Sequence, residues 1–324
     1  MKKISLIIPV YNTEAYLDQA LRSAAGQTWE NMEIICVDDG STDGSGRILE
    51  AFKAADSRFR VIRQDNRGES AARNRGLREA TGDFIGFMDC DDWLDRAMYE
   101  RLAEAMERTG ADLGLSGGWY REEEGRTEAV GNRRELPSPV FGRQELLRYL
   151  YERDQYRGFA YMWNKLYRRE LLFEGGRPRS LFDETLKLGG DILYLGEAAL
   201  RVRRAVWVRD IFYHYRQRGD SGCHRLTAEK RRDWLRAYEL LLPKLEAQGT
   251  DRATVDFVKR FMGYHASNWA EAALREGDGE ALLEFQAVMR RYQGEYERLN
   301  RGRADWIARF QRLLETDKME DENR

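Results

Sequence analysis

Phe84-Ile85-Gly86-Phe87-Met88-Asp89-Cys90-Asp91-Asp92-Trp93 is a short apolar run that ends in three carboxylates within four positions. Such a run reads as a buried strand of a parallel sheet. In open α/β sheets, ligands bind beyond the carboxyl ends of the strands. Extended backbone there would put Asp89 and Asp91 on one face. Their repulsion calls for an offset, and a hard divalent cation carrying a polyphosphate supplies one. Alone, an Asp-x-Asp is more often a solvated acidic turn. The surrounding sequence decides.

Working outward, strand and helix alternate through the first 110 residues. Strands are expected at 4–10, 33–37, 60–64 and 84–88, with helices at 13–25, 43–55, 70–80 and 95–108. This alternation implies right-handed crossovers and an α/β fold with a mostly parallel, Rossmann-like sheet and flanking helices. Residues 112–118 read as a further strand, 120–134 as a hairpin or surface loop, and 143–151 and 193–201 as helices. Two more strands are expected at 205–209 and 212–216, and a C-terminal α-helical region from about 226. The expected domains are 1–222 and 223–324. In the second, Trp234, Tyr238, Phe261 and His265 recur at helical spacing and read as packing surface.

Composition narrows the class. The chain has 324 residues, 42% hydrophobic and 34% charged, with a formal net charge of −2, which argues against nucleic-acid binding. Its three cysteines, Cys36, Cys90 and Cys223, are too far apart for a zinc or disulfide framework and suit a reducing, cytoplasmic setting. No apolar run is long enough to span a bilayer. Lys2 and Lys3 precede a stretch that is short, contains Pro9 and reads as a first strand rather than a signal peptide. Residues 201–236 carry eleven Lys/Arg against four Asp/Glu, a balance of +7. That balance is either a solvated basic face or a surface for an anionic partner, such as a diphosphate, a lipid-linked acceptor or the inner leaflet of a membrane.

Four segments follow the four strand ends: Pro9-Val10-Tyr11-Asn12, Asp38-Asp39-Gly40-Ser41, Asn66-Arg67-Gly68-Glu69-Ser70-Ala71-Ala72-Arg73-Asn74, and Asp89-Cys90-Asp91-Asp92. In this order they resemble the family-2 glycosyltransferases, inverting enzymes of the GT-A fold. The likeness covers about the first 220 residues and is strongest over the first 110. It implies a nucleotide-sugar donor, a UDP-sugar by resemblance, bound by Pro9, Val10, Tyr11, Asp39, Asn66, Arg73 and Asp89. It also implies a Mn²⁺ or Mg²⁺ ion on Asp91 and a saccharide or lipid-linked acceptor. The residues suit these roles independently: Tyr11 offers a ring face, Asp39 an acceptor, Gly68 close backbone approach and Arg73 a guanidinium. Asp38 and Asp92 are expected to support their turns.

An inverting transfer needs one base to take the proton from the acceptor hydroxyl. The family places it in a Glu-Asp pair opening a helix. Here Gly190-Asp191 occupies that place, so Asp191 is the expected base and Gly190 departs from the pattern. Asp183 and Glu184 are the runners-up. By the same resemblance Trp163 and Lys165 are expected beside the acceptor, with a core tryptophan and a solvated lysine as the plain alternative, and Arg216 and Arg218, with Asp220 and Ser221 after them, near the diphosphate. His214 reads as a packed histidine. The helical region is expected to contact acceptor, membrane or a second copy of the chain. Other classes fit less well. The first strand lacks the Gly-x-Gly-x-x-Gly of a dinucleotide-binding dehydrogenase, and Trp93 stands where a dehalogenase-like phosphatase needs Thr or Val. The alternative is a sugar-nucleotide-binding protein without turnover.

Overall fold

The computed structural model describes residues 1–132, 135–152, 156–218 and 226–321, with side chains through 316. Contacts divide the chain into two compact units, Met1–Thr185 with Gly190–His224, and Leu186–Gly189 with Arg225–Arg324.

In the first unit the elements run β1 (Ile4–Val10), α1 (Glu14–Ala25), β2 (Met32–Asp38), α2 (Ser45–Ala55), β3 (Phe59–Arg63), α3 (Glu69–Glu79), β4 (Phe84–Phe87), β5 (Trp93–Leu94), α4 (Met98–Thr109) and β6 (Leu113–Leu115). They continue with the hairpin β7 (Gly118–Glu123) and β8 (Arg126–Gly131), then β9 (Val140–Phe141), α5 (Arg143–Tyr151), β10 (Lys165–Arg168), α6 (Arg169–Leu172), β11 (Phe173–Glu174), β12 (Arg177–Pro178), α7 (Gly190–Ala199), β13 (Ala205–Trp207) and β14 (Tyr213–Arg216). The main sheet is ordered β3-β2-β1-β4-β10-β6-β13-β9, and a second sheet β5-β14-β7-β8. Strands β1 to β4 are mutually parallel, as the alternation predicts. The 120–134 stretch is a hairpin rather than a loop as far as the described residues go.

Two features depart from the sequence reading. β10 was not anticipated, and it inserts antiparallel between β4 and β6. The expected helix at 95–108 starts later, at Met98, because Trp93 and Leu94 pair with Tyr213 and His214. Both depend on partners far away in sequence, which local periodicity does not register.

The sheet order places a crevice beside β1. Val10 C=O accepts from Asp39 N–H at 2.8 Å on the β2 side, and Ile7 C=O accepts from Met88 N–H at 3.1 Å on the β4 side. By strand alternation Pro9 faces β4, one step beyond that last bond. Proline has no N–H to continue the ladder, so β1 and β4 separate there. Their divergence is the kind of switch point where α/β sheets hold ligands. Helix α3 lies close over β1: a Cβ on Gly76 would stand 2.4 Å from Ile7 Cγ2. That approach brings the first turns of α3 to the strand ends.

The second unit is helical: α8 (Ala228–Ala247), α9 (Arg252–Glu276), α10 (Gly279–Leu299) and α11 (Ala304–Asp321). Thr227, Asp251 and Asp278 cap the first three by accepting from the N–H groups of Lys230, Thr254 and Ala281. Trp234 of α8 meets Phe261, His265 and Trp269 of α9 at ring distances of 5.4, 4.6 and 5.1 Å, and Tyr296 stacks on Phe310 at 4.3 Å. No helix among the described residues is long and apolar enough to cross a membrane.

At the opposite edge of the sheet from the crevice, Glu33 ties β1, β2 and the turn before β4 together. It is 5% exposed and accepts from Ser5 Oγ, Thr81 N–H, Thr81 Oγ and Lys3 Nζ at 2.5–2.9 Å. Burial alone would raise its carboxyl, but these donors outweigh that and lower it from 4.5 to about 2. A depressed carboxyl contributes stability that is present above its unfolded value and lost as pH falls toward the folded one. Between pH 4.5 and about 2 the wild type should therefore lose roughly 3 kcal/mol through this group. Urea unfolding across that window should show a visibly flatter pH slope in Glu33→Gln.

Candidate active site

Tyr11, the first residue past β1, is 47% exposed, whereas Pro9 and Val10 are buried in the strand, so those two offer a ligand little beyond backbone. Asn12 follows in the left-handed region at φ 48°. It is held there by Ser41 Oγ, which accepts from its N–H at 3.1 Å, and by Thr42 N–H, which donates to its side-chain carbonyl at 2.8 Å. The ends of β2 and β3 touch at Gly40, φ 78°, where a Cβ would lie 2.8 Å from Asn66 N. An open groove of about 650 Å³ runs past Gly40, Ser41, Thr42, Arg63 and Asn66.

Asp38 and Asp39 divide their work. Asp38 Oδ1 accepts from Ser41 N–H at 2.8 Å and supports its turn, as expected. Asp39 is 3% exposed and accepts three bonds from the loop after β3: Gln64 Nε2 at 2.7 Å, Arg67 N–H at 3.0 Å and Gly68 N–H at 2.8 Å. A carboxylate has about four lone-pair positions, so roughly one is left for a ligand.

The acidic tip of β4 is not extended. Asp92 N–H donates to Asp89 C=O at 3.2 Å, so Asp89 to Asp92 form a turn, and the shared face inferred from strand alternation does not apply. The carboxylates still converge on one region. Arg73, 6% exposed on α3, donates from Nη2 to Glu69 at 2.6 Å and Asp89 at 2.8 Å, and lies over the Phe182 ring. Arg73 is thus a buried bridge rather than a surface ion pair. Although burial opposes its charge, Glu69, Asp89 and Asp191 hold it charged. Arg218 Nε is 3.0 Å from Asp91 Oδ2, and Arg216 Nε donates to Asp91 C=O at 2.9 Å. Burial, and then the charge of Asp89, raise the Asp91 carboxyl, with Arg218 opposing.

Asp92 supports the turn from beneath. It is 1% exposed and accepts from Tyr213 O–H at 2.8 Å and Arg216 N–H at 2.8 Å, while Tyr213 oxygen accepts from Asp89 N–H at 3.1 Å. Burial, reinforced by Asp91 and Asp89, pushes the Asp92 carboxyl well up. Glu69, which the sequence reading gave no role, faces the same cleft. Its side chain is 58% accessible. Neighbouring protein atoms and then the charges of Asp89, Asp191 and Asp91 raise its carboxyl against the pull of Arg73.

Asp191 stands in the first turn of α7, where its charge reaches Glu69 and Arg73. At position 190, where the acid is missing, a Cβ would stand 3.0 Å from Ser70 Oγ, a tight contact. The runners-up are engaged elsewhere. Glu184 accepts from Arg67 at 2.7 Å and Asn74 at 3.0 Å, and Asp183 accepts from Thr185 N–H and Oγ.

Two expected acceptor contacts are corrected. Trp163 is 4% exposed and stacks between Tyr161 and Tyr213 at 4.8 and 4.0 Å, so its faces are unavailable to a sugar. Lys165 is fully buried as the first residue of β10. Its ammonium donates to Phe159 C=O and Asn164 Oδ1 at 2.9 and 2.8 Å and to Tyr161 C=O, so it does not meet an external anion. His214 is packed, as expected, between the rings of Trp93 and Tyr120, with Glu122 and Asp95 on its nitrogens. Asp220, Ser221 and Cys223 lie outside the described residues. Much of the 201–236 positive charge is paired within the protein: Arg203 with Asp112, Arg209 with Glu135, Arg218 with Asp91, Arg231 with Glu276 and Arg232 with Glu284.

Among the described residues, no three or more His, Cys, Asp or Glu side chains form a metal-holding group. Asp91 with Asp89 beside it instead suits an ion held by one or two carboxylates and completed by substrate phosphates, the usual manner for Mg²⁺.

Residues 5–174, more than half of the chain, match the family model described as Glycosyl transferase family 2. The chain is 36% identical over 218 residues to "Uncharacterized glycosyltransferase EpsJ" of Bacillus subtilis, covering 67% of this chain but 62% of that one, so it spans less than two thirds of that relative's length. It superposes on S. aureus TarS in complex with UDP-GlcNAc with a TM-score of 0.74 at 22% identity, over 98% of this chain and 92% of the other. A mannosyltransferase from Pyrobaculum calidifontis in complex with GDP-Man and Mn²⁺ superposes with a TM-score of 0.53 at 16% identity, over 96% and 84% of the two chains. These two likenesses establish the shared α/β fold.

Tyr213→Phe removes one donor from buried Asp92 and the acceptor of Asp89 N–H. Denaturant unfolding should show a loss of about 1–3 kcal/mol. Combined with Asp92→Asn, the two losses should fall short of additive, because they break one network.

Proposed function

Because the chain belongs to glycosyl transferase family 2, we propose that it transfers a sugar from a nucleotide-diphospho-sugar, a UDP-sugar, to a hydroxyl of a saccharide or lipid-linked saccharide, with inversion at the anomeric carbon. The observation that carries this reading is the convergence of Tyr11, Asp39, Asp89 and Asp91 beyond the ends of three adjacent parallel strands, with Arg73 bridging Glu69 to Asp89. On this reading the base lies along the groove past Gly40 and Asn66, with Tyr11 as a ring face and Asp39 using its remaining acceptor position. Asp89, aimed by Arg73, meets ribose or sugar hydroxyls.

Asp91, with Asp89, would hold a divalent cation. Bound there, that ion supplies Lewis-acid stabilisation of the leaving diphosphate. Arg216 and Arg218, already on Asp91, are placed to offset phosphate charge. Asp191 takes the proton from the attacking hydroxyl. Its position at the start of a helix serves this role without a neighbouring acid at 190. The helical unit we assign to acceptor, membrane or self-association contacts. Five of the eleven basic residues in 201–236 are paired with carboxylates of this chain.

A thermal-shift series with UDP and UDP-sugars, with and without Mn²⁺, tests donor binding, since a ligand at about 100 times its Kd stabilises by roughly 2.7 kcal/mol. Asp91→Asn should abolish the Mn²⁺-dependent part of the shift. Asp191→Asn should keep the shift and lose about 10²–10⁴-fold in turnover. Binding without any turnover or slow donor hydrolysis in the wild type would favour the sugar-nucleotide-binding alternative. No shift with any nucleotide would overturn both readings.

A further inference from the structure

Transfer with inversion places the anomeric carbon between the leaving diphosphate and the base that activates the acceptor. On the proposed reading the donor sugar therefore lies between the acidic turn after β4 and the start of α7. Glu69, in the first turn of α3, touches both sides of that space. Arg73 Nη2 donates to Glu69 Oε1 at 2.6 Å and to Asp89 Oδ1 at 2.8 Å, so one nitrogen holds these two carboxylates side by side. The residue after Glu69 packs against the residue before Asp191: a Cβ on Gly190 would stand 3.0 Å from Ser70 Oγ. The charges of Asp89, Asp191 and Asp91 all act on the Glu69 carboxyl. This packing does not use Glu69 up. Its side chain is 58% accessible, and its Oε2 has no hydrogen bond among the described residues. The space beside it is open, since a Cβ on Gly68 would meet nothing within 4 Å.

We propose that Glu69 reads the donor sugar by accepting a hydroxyl on Oε2, and that it makes the site select uncharged sugars over uronic acids. The proposal deepens the glycosyltransferase reading and rests on it. A sugar hydroxyl can donate and an ionised carboxylate can only accept, so the two form a charge-assisted hydrogen bond. A uronic acid would instead bring its own carboxylate among Glu69, Asp89 and Asp191 and would need a cation there. The cations around this space are already engaged. Arg73 is 6% exposed, and its Nη2 is shared by Glu69 and Asp89. Arg67 donates to Glu184 at 2.7 Å, and Arg216 and Arg218 lie on Asp91, on the side assigned to the diphosphate. A second anion left unpaired beside Glu69 is disfavoured, and this repulsion is what discriminates between sugars of the same size.

The test compares donors that differ only at C6 of the sugar. Affinities for UDP, UDP-glucose, UDP-glucuronic acid, UDP-galactose and UDP-galacturonic acid are measured by calorimetry with Mn²⁺ present. Each uronic acid donor should bind about tenfold or more weakly than its neutral counterpart. Glu69→Gln keeps the size of the side chain and removes its charge. It should narrow that gap severalfold, while the affinity for UDP, which carries no sugar, changes little. Equal affinity for neutral and acidic donors in the wild type overturns the assignment and leaves the transferase reading standing. So does a gap that Glu69→Gln leaves as it was. A loss in Glu69→Gln that is as large for UDP as for the UDP-sugars also overturns it, because Glu69 would then only support the start of α3. If the wild type binds none of these nucleotides, the glycosyltransferase reading falls and this one with it.

Discussion

Three carboxylates in four positions at the end of one strand cannot share a water-poor edge without compensation. Two unit charges about 5 Å apart at an effective dielectric of 20 repel by roughly 3 kcal/mol. Nearly everything distinctive about this domain answers that cost. Arg73 reaches Asp89 from α3, Tyr213 and the Arg216 backbone satisfy Asp92, and Arg218 faces Asp91. Three of these four come from β14 or its immediate continuation, about 120 residues later in sequence. The second sheet is therefore the scaffold that lets the acidic turn fold in the absence of ligand. The compensation is incomplete at Asp91 and Asp92, whose carboxyls remain raised. On the proposed reading, a bound divalent cation supplies the offset that the protein's own groups leave incomplete.

The β1–β4 half of the sheet was legible because its information is local. Parallel strands buried on both faces read as apolar runs, and turn residues punctuate them. The strand-end residues were legible for the same reason: each follows its strand directly, so naming the strand places the residue. Legibility stopped where a side chain's setting depends on distant partners. Lys165 looks like a free cation in sequence, yet β10 carries it between β4 and β6, where three main-chain and side-chain oxygens replace its water. Trp163 looks like a sugar platform, yet both faces are taken by tyrosines, one of them from β14. Glu69 was overlooked for the converse reason. An acid in the first turn of a helix usually serves the helix dipole, and only the assembled cleft shows it facing Asp89 and Asp191.

Gly190 shows how a departure from a family pattern can be structural rather than functional. Read alone, the loss of one of two acids suggests a disabled site. In the fold, α7 begins close to α3: a Cβ at 190 would stand 3.0 Å from Ser70 Oγ, so a side chain there needs the serine to give way. The same closeness puts Asp191 within electrostatic reach of Arg73 and Glu69. For the proposed base Asp191, one acid within hydrogen-bond reach of the acceptor proton suffices.

Asp39 carries the same logic to the other end of the donor groove. Its three bonds to Gln64, Arg67 and Gly68 use most of its acceptor capacity, so it organises the loop after β3 before any ligand arrives. That loop leads into α3 and hence to Arg73. The residue assigned to the base and the residue that aims Asp89 are thus joined by one short, well-bonded segment. Displacing that segment would disturb both ends of a bound sugar-nucleotide together. On the proposed reading, base and sugar recognition are coupled through this segment, and a substitution at Gly68, whose φ of 89° confines it to glycine-like backbone, should be felt at Asp89 as well as at Asp39.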